Sequence, residues 1–354
     1  MSDNHKNPFL SSEFYGIIQG KEVYRYILQN ETMRVIITNL AGAIIAIYTK
    51  SRNGSEKNIV AGFNDIKDYE ENPYYFGCVI GRNANRIANG KFVLNGKTIQ
   101  LSVNDGINHL HGGFNGFNGK VWKLSGAQTE KDEVSVEFEY LSTDGEEGYP
   151  GNLLVKIKYT LNNKNELSVE YNADTDKATP VSLTNHSYFN LSGFESSTIH
   201  EHLLYVNAKN YTEKNVNNTP TGNILPVADT PLDFREPKKI GKDIHQFPKD
   251  NGFDHNFVLR KNVSGPIVPA AQLKDPSSGR TVTVYTDQPG IQVYTANFWD
   301  GTVEGTHGAY QQHGAIALET QAFPDSPNHP SFPGTILQPG QHYFSKTVYQ
   351  FGIE

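Results

Sequence analysis

The sequence predicts an all-β protein, a large antiparallel β-sandwich with few and short helices. Apolar residues occupy every second position from 134 to 140, and Ser135, Glu137 and Glu139 lie between them. A period of two is typical of a half-buried strand, because successive side chains of a strand point to opposite faces. The same period recurs over residues 153–159 and 167–171, and the turn residues 162–165 between these runs predict a hairpin.

Turn dipeptides are the second observation behind this fold class. Asn-Gly and Asp-Gly pairs supply the positive φ that tight hairpins need. They occur throughout the chain, for example at positions 53, 89, 95, 144, 251 and 300. The 32 glycines and 18 prolines are spread along the chain, and no apolar period of 3.6 residues persists, so helices should be few. Because all-β units often exceed ~200 residues and no linker or repeat is visible, we expect residues 1–354 to form a single domain.

Charge and hydropathy exclude several classes of partner. The 31 basic and 38 acidic residues give a formal net charge of −7 without a basic block, so we expect no nucleic-acid partner. The longest apolar run, residues 40–48, is shorter than the ~20 residues of a membrane helix, and mean hydropathy is −0.53, so we expect no membrane partner. Residues 1–10 lack a secretory signal pattern, so we expect a cytoplasmic protein. For the oligomeric state we expect a monomer or a homodimer.

Cys78 is the single cysteine, so no disulfide can form within the chain. This fits a reducing compartment. The residue lies in the apolar run FGCVIG, which has the character of a strand. We therefore predict a buried structural thiol and not a nucleophile.

Polar side chains that ordinary strand patterning does not require are concentrated in a few segments. These are GRNANRI (81–87), NHLHGG (108–113), TNHSYFNL (184–191), GFDHNF (252–257), GIQVYTANF (290–298) and ALETQAFPDSPN (317–328). Their arginine, histidine, amide and carboxylate groups are the donors and acceptors that a hydroxyl-rich ligand needs, so together they predict a polar pocket. Aromatic residues that could stack on a sugar ring are Tyr188, Phe189, Phe253, Phe298, Trp299 and Phe323.

Metal and phosphate chemistry find less support in the sequence. His109 and His111, and likewise His200 and His202, are spaced to share one face of a strand, but neither pair has a companion Cys or His pair at zinc-ligand spacing. Neither a P-loop nor a dinucleotide-binding fingerprint is present, and the predicted pocket suits a neutral sugar better than a phosphate ester. We therefore predict no metal and no other cofactor.

At these segments the sequence resembles the aldose 1-epimerase (galactose mutarotase) family. The resemblance runs from MRVIITNLAGAI (33–44) through the six segments to LQPGQHYFSKTVYQF (337–351). It implies the galactose mutarotase-like supersandwich, with a sugar bound in a cleft on one sheet, and interconversion of the α and β anomers of free aldoses. One difference is AGA at 41–43, where many relatives carry an aromatic residue before Gly-Ala, and it would affect the wall of the cleft.

The resemblance also implies roles for individual residues. His186 of TNHSYFNL would be the catalytic acid and Glu319 of LETQ the catalytic base; the substrate ligands would be Asn85, Arg86, His111, Asp254 and Gln292. Because histidine is readily protonated near neutrality and glutamate is ionised there, we expect an imidazolium acid and a carboxylate base. The rate should then fall in acid as Glu319 is neutralised and in alkali as His186 loses its proton.

Three other functions remain open on the residues alone. Asp254 and Glu319 could be the two carboxylates of a glycoside hydrolase. The same pocket could also belong to a sugar-binding module without catalysis. A sugar-phosphate epimerase is the nearest alternative in chemistry, but no additional arginine cluster lies near the motifs.

Overall fold

The computed structural model of the protein describes residues 8–259 and 266–354. Most residues of the N-terminal segment on which the cytoplasmic prediction depends lie outside these ranges. Over half of the strand residues belong to two large antiparallel sheets, and the helices are short. The predicted all-β class with few short helices is therefore confirmed.

The largest sheet has nine strands. In spatial order they are Lys123–Thr129, Glu133–Ser142, Leu153–Asn162, Glu166–Thr175, Tyr343–Ile353, Arg280–Thr286, Val268–Lys274, Leu203–Val206 and Lys238–Lys239. The predicted hairpin is confirmed, because Leu153–Asn162 pairs antiparallel with Glu166–Thr175 and places Leu161 opposite Leu167. Alternation over residues 134–140 is confirmed in part: Val134, Val136 and Phe138 are fully buried and the two glutamates between them are partly exposed, but Ser135 is also buried.

The second sheet has six strands and carries the candidate site. Its order is Tyr188–Phe189, Ile316–Gln321, Gly290–Tyr294, Asp254–Val258, Asn210–Lys214 and Pro220–Pro226. Ile291, Val293 and Leu318 of its central strands point into the main hydrophobic core. Because side chains alternate along a strand, the residues between them face away from that core.

A five-stranded sheet and several two-stranded ribbons complete the β structure. The five strands are Phe9–Ile18, Lys21–Gln29, Met33–Thr38, Ile44–Lys50 and Glu56–Asn58. The ribbons pair Arg86–Ile87 with His109–Leu110, Val79–Ile80 with Thr184–Asn185, Lys91–Leu94 with Lys97–Gln100, Thr179–Pro180 with Ile336–Leu337, and Asp300–Gly305 with Gly308–Gln311. In the third of these, Asn95 and Gly96 form the two-residue turn with φ of 50° and 75°, as the Asn-Gly pair predicts.

Helical segments in the described residues are brief. One α-helix of four residues spans Asp68–Glu71, and single 3₁₀ turns occur at Ala88–Gly90, Phe117–Gly119, Glu146–Gly148, Ile240–Lys242, Ile244–Gln246 and Ser326–Asn328. No helix in residues 8–259 or 266–354 has the length and apolar character needed to cross a bilayer.

The main core lies between the sheets. It combines Val155, Ile157 and Val169 of the nine-stranded sheet with Ile291 and Leu318 of the six-stranded sheet. This packing of two large sheets face to face is that of a β-sandwich. It leaves the outer face of the six-stranded sheet to carry polar side chains.

Candidate active site

All seven residues predicted to form the site line one cleft, with a cavity volume of about 280 Å³. They are Asn85, Arg86, His111, His186, Asp254, Gln292 and Glu319. The other lining residues are Pro73, Tyr74, Tyr75, Asp105, Leu110, Tyr188, Tyr294 and Phe298. Gln292 and Glu319 alternate with core residues, so the cleft lies over the outer face of the six-stranded sheet.

Strand register brings three of these side chains together. Gln292 lies directly opposite Glu319 on the neighbouring strand, and Asn256 lies opposite Gln292 on the other side. Asp254 is two residues from Asn256 and therefore shares its face. The Gln292 amide donates a hydrogen bond from Nε2 to Oδ1 of Asp254 at 2.6 Å, which fixes both side chains on the floor of the cleft.

The ribbon of Arg86–Ile87 with His109–Leu110 brings two distant motifs into contact. The N–H of Asn85 donates to Nδ1 of His111 at 3.2 Å, and the N–H of His111 donates to the carbonyl of Asn85 at 3.1 Å. Both residues have a positive φ, 61° for Asn85 and 52° for His111, so the chain turns at the end of each short strand. This turn directs their side chains to the cleft.

His111 acts as a donor in this arrangement. Its Nδ1 accepts a backbone N–H, so the proton of the neutral imidazole must be on Nε2. Burial lowers the pKa of His111 well below its usual value, and the neighbouring His186 and Arg86 lower it further. The ring is therefore neutral at physiological pH, with one N–H available to donate a hydrogen bond.

His186 lies in an aromatic environment. Its backbone N–H donates to the carbonyl of Cys78 at 2.9 Å, next to the ribbon of Val79–Ile80 with Thr184–Asn185. Its ring stacks on Tyr75 at 5.9 Å and packs against Tyr188 at 4.8 Å. Burial lowers the pKa of His186 to about 4, because these rings cannot solvate an imidazolium.

Glu319 has the opposite shift. Its side chain is 2% exposed, and burial raises the pKa of its carboxyl group to about 8, with the negative charge of Asp254 adding to the effect and Arg86 opposing it. Glu319 Oε1 is 3.6 Å from Nε2 of His186, which is longer than a hydrogen bond. Among the described residues, neither Oε2 of Glu319 nor Nδ1 of His186 has a hydrogen-bond partner.

These shifts differ from the expectation of an imidazolium facing a carboxylate. In the free protein the proton lies on Glu319 at neutral pH and His186 is neutral. Between about pH 4 and pH 8 the two groups therefore share one titratable proton. Glu319 releases this proton only above about pH 8, and His186 becomes an imidazolium only below about pH 4. Titration steps of such neighbouring groups belong to the pair.

Asp254 is ionised although it is buried. Burial raises the pKa of this carboxyl group, but the cations Lys214 and Arg86, followed by His255 and the bond from Gln292, bring it below its usual value. Lys214 Nζ and Arg86 Nη1 each lie 3.9 Å from Oδ2 of Asp254. Lys214 also donates to the Asp254 carbonyl at 2.9 Å. Asp254 is therefore an ionised carboxylate at neutral pH, whereas Glu319 in the same cleft is a protonated carboxyl group.

Several cleft residues were not predicted. Tyr75 and Asp105 lie outside the six segments, although Asp105 precedes NHLHGG by three residues. Lys214, which contacts Asp254 but does not line the cleft, also lies outside them. Tyr294 lies within GIQVYTANF, but its aromatic ring gave no signal beyond that of a strand residue. The place of Asp105 close to a polar motif was an available signal, whereas Tyr75 and Lys214 are not adjacent to any of the six segments.

The aromatic candidates and the AGA segment divide between cleft and core. Tyr188 and Phe298 line the cleft. The other four candidates are buried away from it and pack on core residues: Phe189, Phe253, Trp299 and Phe323. Ala41 and Ala43 are also buried in a hydrophobic cluster, so the AGA segment does not itself line the cleft. Cys78 is buried as predicted, and burial raises the pKa of its thiol to about 12.

The histidine pairs considered for zinc make other contacts. His109 contacts the Ser102 carbonyl through Nδ1 and the Tyr149 hydroxyl through Nε2, each at 2.7 Å. His202 Nε2 accepts the N–H of Leu191 at 3.0 Å. Each ring is therefore oriented by its own neighbours and not by its partner in the pair.

A different group of three could approach a cation. His111, His186 and Glu319 each offer one ligand atom, and these atoms lie within 4.8 Å of one another. A metal-bound histidine usually donates through its second nitrogen, whereas Nδ1 of His111 accepts an N–H. Its Nε2 therefore carries a proton where a metal would need a lone pair, and the donor set does not suit a metal.

We expect dialysis against a strong chelator to leave activity unchanged, because proton transfer requires no Lewis acid and His111 is held as a donor. Anomer equilibration should be measured before and after dialysis, with the metal content of the protein determined in parallel. A rate that falls on chelation and returns with zinc would contradict this prediction.

Comparison with known proteins identifies the family. Residues 24–350 match the sequence model described as Aldose 1-epimerase. The chain belongs to the aldose 1-epimerase family. A galactose mutarotase from Homo sapiens is 42% identical over 335 residues, covering 94% of this chain and 95% of the relative. An aldose 1-epimerase from Escherichia coli K12 is 35% identical over 330 residues, covering 92% and 94%. The family resemblance, and with it the assignment to the isomerases that interconvert aldose anomers, is confirmed.

Solved structures of the family share the fold. The crystal structure of galactose 1-epimerase from Lactobacillus acidophilus superposes with a TM-score of 0.86 at 27% identity and covers 98% of this chain and 99% of its own. A GalM/aldose epimerase homologue from C. elegans gives a TM-score of 0.84 at 29% identity, with 97% and 99% coverage. The predicted galactose mutarotase-like sandwich is therefore confirmed.

Proposed function

We propose that this aldose 1-epimerase acts on free aldohexoses such as galactose and glucose, with His186 and Glu319 transferring the protons. The observation that carries the proposal is the buried pair itself: two ionisable groups 3.6 Å apart, facing the same cleft, without a hydrogen bond between them. Each is free to contact a different oxygen of a sugar. The names of the mutarotase relatives from Homo sapiens and Sus scrofa support galactose as a substrate.

The reaction needs one acid and one base at the same time. The base removes the proton of the C1 hydroxyl, the acid protonates the ring oxygen, and the C1–O bond of the ring breaks to give the open-chain aldehyde. Rotation about C1–C2 then presents the other face of the carbonyl. Closure returns one proton to the former carbonyl oxygen and removes the other from the chain hydroxyl, which gives the opposite anomer.

A pair that holds one proton suits this cycle. With Glu319 as base and His186 as acid, ring opening moves a proton onto Glu319 and another off His186, and closure restores the starting state. In the free protein the proton is on Glu319 and His186 is neutral. In the proposed cycle, this is the state of the two groups after the ring has opened. The hydroxyl groups of a bound sugar must therefore favour the charged arrangement at the start of each turnover.

The magnitudes are sufficient for this reaction. A positioned acid or base contributes ~10² to 10⁴ in rate, and two of them ~10⁴ to 10⁸. At ~1.4 kcal/mol per decade, this lowers the barrier by on the order of 5 to 11 kcal/mol. The remaining cleft residues need only bind and orient the ring.

Five residues are proposed as sugar ligands: Asn85, Arg86, His111, Asp254 and Gln292. His111 offers an N–H, Arg86 a cation and Asp254 a carboxylate, which together match hydroxyl groups that donate and accept. By holding the ring hydroxyls they would keep the sugar in place while C1 rotates.

A neutral sugar fits this cleft better than a sugar phosphate. Arg86 is paired with Asp105 at 2.7 Å and lies 3.9 Å from Asp254, so two carboxylates already compensate its charge. Lys214 is likewise shared between Asp250 and Asp254. A phosphate dianion would meet these carboxylates without an unshared cation to receive it.

Polarimetry on freshly dissolved α-D-glucose and α-D-galactose tests the proposal directly. Catalytic amounts of protein should accelerate the approach to the equilibrium rotation well beyond the spontaneous and buffer-catalysed rate. Saturable sugar binding without acceleration would identify a binding module and refute the proposed function.

The pH profile of kcat/KM reports the titration of the free enzyme. Because the pair holds one proton in the active range, we expect kcat/KM to fall below about pH 4 and above about pH 8. The measurement is initial-rate polarimetry from pH 3.5 to 9.5 with the background subtracted at each pH. An alkaline limb close to the ordinary histidine value would instead support an imidazolium acid in the free protein.

Replacing Arg86 by alanine should mainly weaken sugar binding and also slow turnover, because a cation next to ring hydroxyls positions the substrate. We expect KM to rise about 10- to 100-fold, the loss expected when a charged hydrogen bond is removed. Arg235→Ala is the control, since Arg235 pairs with Asp233 on the surface. Wild-type kinetics in Arg86→Ala would remove this residue from the site.

One observation favours a second candidate function. The pKa of Glu319 is raised and that of Asp254 is lowered, as for the acid and the carboxylate of a glycoside hydrolase. Asp254, however, accepts the Gln292 amide at 2.6 Å through Oδ1 and has two cations at 3.9 Å from Oδ2, so its negative charge is already compensated within the protein. Hydrolysis of nitrophenyl galactosides and glucosides without mutarotation would favour the hydrolase.

We further infer a cytoplasmic enzyme in which residues 1–354 form one domain, acting as a monomer or a homodimer. It would require only the sugar, with neither nucleic acid nor membrane as partner. Limited proteolysis would test the single domain, and light scattering the oligomeric state.

A further inference from the structure

Asp105 is a charged residue of the cleft to which neither the sequence motifs nor the proposed reaction assigns a role. Its carboxylate accepts the Nε–H of Arg86 at 2.7 Å, and its side chain is 36% exposed in the cleft wall. Arg86 is only 15% exposed, so Asp105 approaches it from the open side of the site.

The backbone of Asp105 is fixed by a closed turn. The N–H of Asp105 donates to the carbonyl of Asn108 at 3.1 Å, and the N–H of Asn108 donates back to the Asp105 carbonyl at 2.8 Å. The turn continues into the strand His109–Leu110, which pairs with Arg86–Ile87. Asp105 and Arg86 therefore extend from the same small ribbon, and the backbone contacts of the ribbon hold the two residues next to each other.

Arg86 lies between two carboxylates. The Asp105 carboxylate accepts the Nε–H of Arg86 at 2.7 Å. Nη1 of Arg86 is 3.9 Å from Oδ2 of Asp254, which is too long for a hydrogen bond. Among residues 8–259 and 266–354 the guanidinium has no other hydrogen-bond partner. Its Nη groups and Oδ2 of Asp254 both border the cleft without a hydrogen bond to each other, so both remain open to a ligand.

We propose that Asp105 is a positioning residue, which holds Arg86 away from Asp254 so that both can receive sugar hydroxyls. An arginine side chain is long and loses much rotamer freedom when it is held. Released from Asp105, Arg86 would close the 3.9 Å gap and pair with Asp254. The guanidinium and the carboxylate would then bind each other in place of the sugar hydroxyls proposed to bind them. This inference rests on the proposed function.

The test combines kinetics with a binding measurement. Asp105→Ala should raise KM and the dissociation constant for galactose about tenfold, as expected for the loss of one charge-assisted hydrogen bond in the bound state, with kcat changed less than threefold. Asp105→Asn keeps an oxygen for the Nε–H of Arg86 and should recover most of the affinity. Asp233→Ala removes a comparable aspartate–arginine pair on the surface and is the matched control.

A double variant separates positioning from a direct contact. In Arg86→Ala, the additional Asp105→Ala change should have little effect on affinity, because Asp105 acts through Arg86. Additive losses, unchanged affinity in Asp105→Ala, or an asparagine variant as weak as the alanine variant would each overturn the inference. A wild-type protein that binds galactose but does not accelerate mutarotation would refute the proposed function instead, while the binding comparison could still be made.

Discussion

Glu319→Gln should lower kcat by about 10² to 10⁴, the contribution of one positioned proton-transfer group, and leave sugar binding within a fewfold of wild type. Glutamine keeps the size of the buried side chain but cannot take up a proton. The carboxyl group has a raised pKa of about 8, so the limb near pH 8 should be lost with it, and residual activity should fall above about pH 4 as the acid His186 loses its proton. Polarimetry gives the rates, and calorimetric titration with galactose gives the affinity.

The control for this variant is Glu201→Gln, because Glu201 is an exposed glutamate outside the cleft, paired with Lys239. It should behave as wild type in both measurements. Near wild-type mutarotation by Glu319→Gln, measured above the spontaneous rate, would refute the assignment of the base. Asp254, the ionised carboxylate of the cleft, would then be the next candidate.

His186→Asn should also reduce kcat by about 10² to 10⁴, because no other group in the pair can protonate the ring oxygen while Glu319 acts. In this variant the limb near pH 4 should be lost with the imidazole, and residual activity should instead fall below about pH 8 as the base Glu319 takes up its proton. His342→Asn is a suitable control, because His342 is exposed and contacts Asp174 on the nine-stranded sheet. An unchanged acid limb in His186→Asn would mean that another group titrates there.

The two losses should not add. Acid and base act in the same ring-opening step, so the double variant should be about as slow as the slower single variant. Strictly multiplicative losses would indicate two independent steps and contradict a shared proton pair.

Local features of the fold could be predicted from the sequence, and distant pairing could not. The hairpin between residues 153–162 and 166–175 followed from alternation and a short turn, because both signals are adjacent in the chain. Tyr343–Ile353, in contrast, lies between Glu166–Thr175 and Arg280–Thr286. A period of two identifies which side chains are buried, but it does not identify which strand lies alongside.

The candidate site shows the same limit in chemical terms. The polar motifs were recognisable, and the family resemblance supplied their roles. The protonation of His186 and Glu319 differed from expectation because it depends on burial by side chains such as Tyr75, far away in sequence. Asp105 and Lys214 were missed because a single charged residue in a turn or strand looks like a solvated one.

The buried pair also has a cost in folding stability. The raised pKa of Glu319, about 8, favours folding below its unfolded value near 4.5, and this contribution is lost as the pH rises through 8. The lowered pKa of His186, about 4, favours folding above its unfolded value near 6.5, and this contribution is lost as the pH falls through 4. At ~1.4 kcal/mol per pKa unit, each amounts to a few kcal/mol out of a typical ~5 to 15. The groups proposed to give the enzyme its activity thus restrict the fold to a window of mild acidity to neutrality, and a catalytically dead glutamine at 319 would make the protein more resistant to alkaline unfolding.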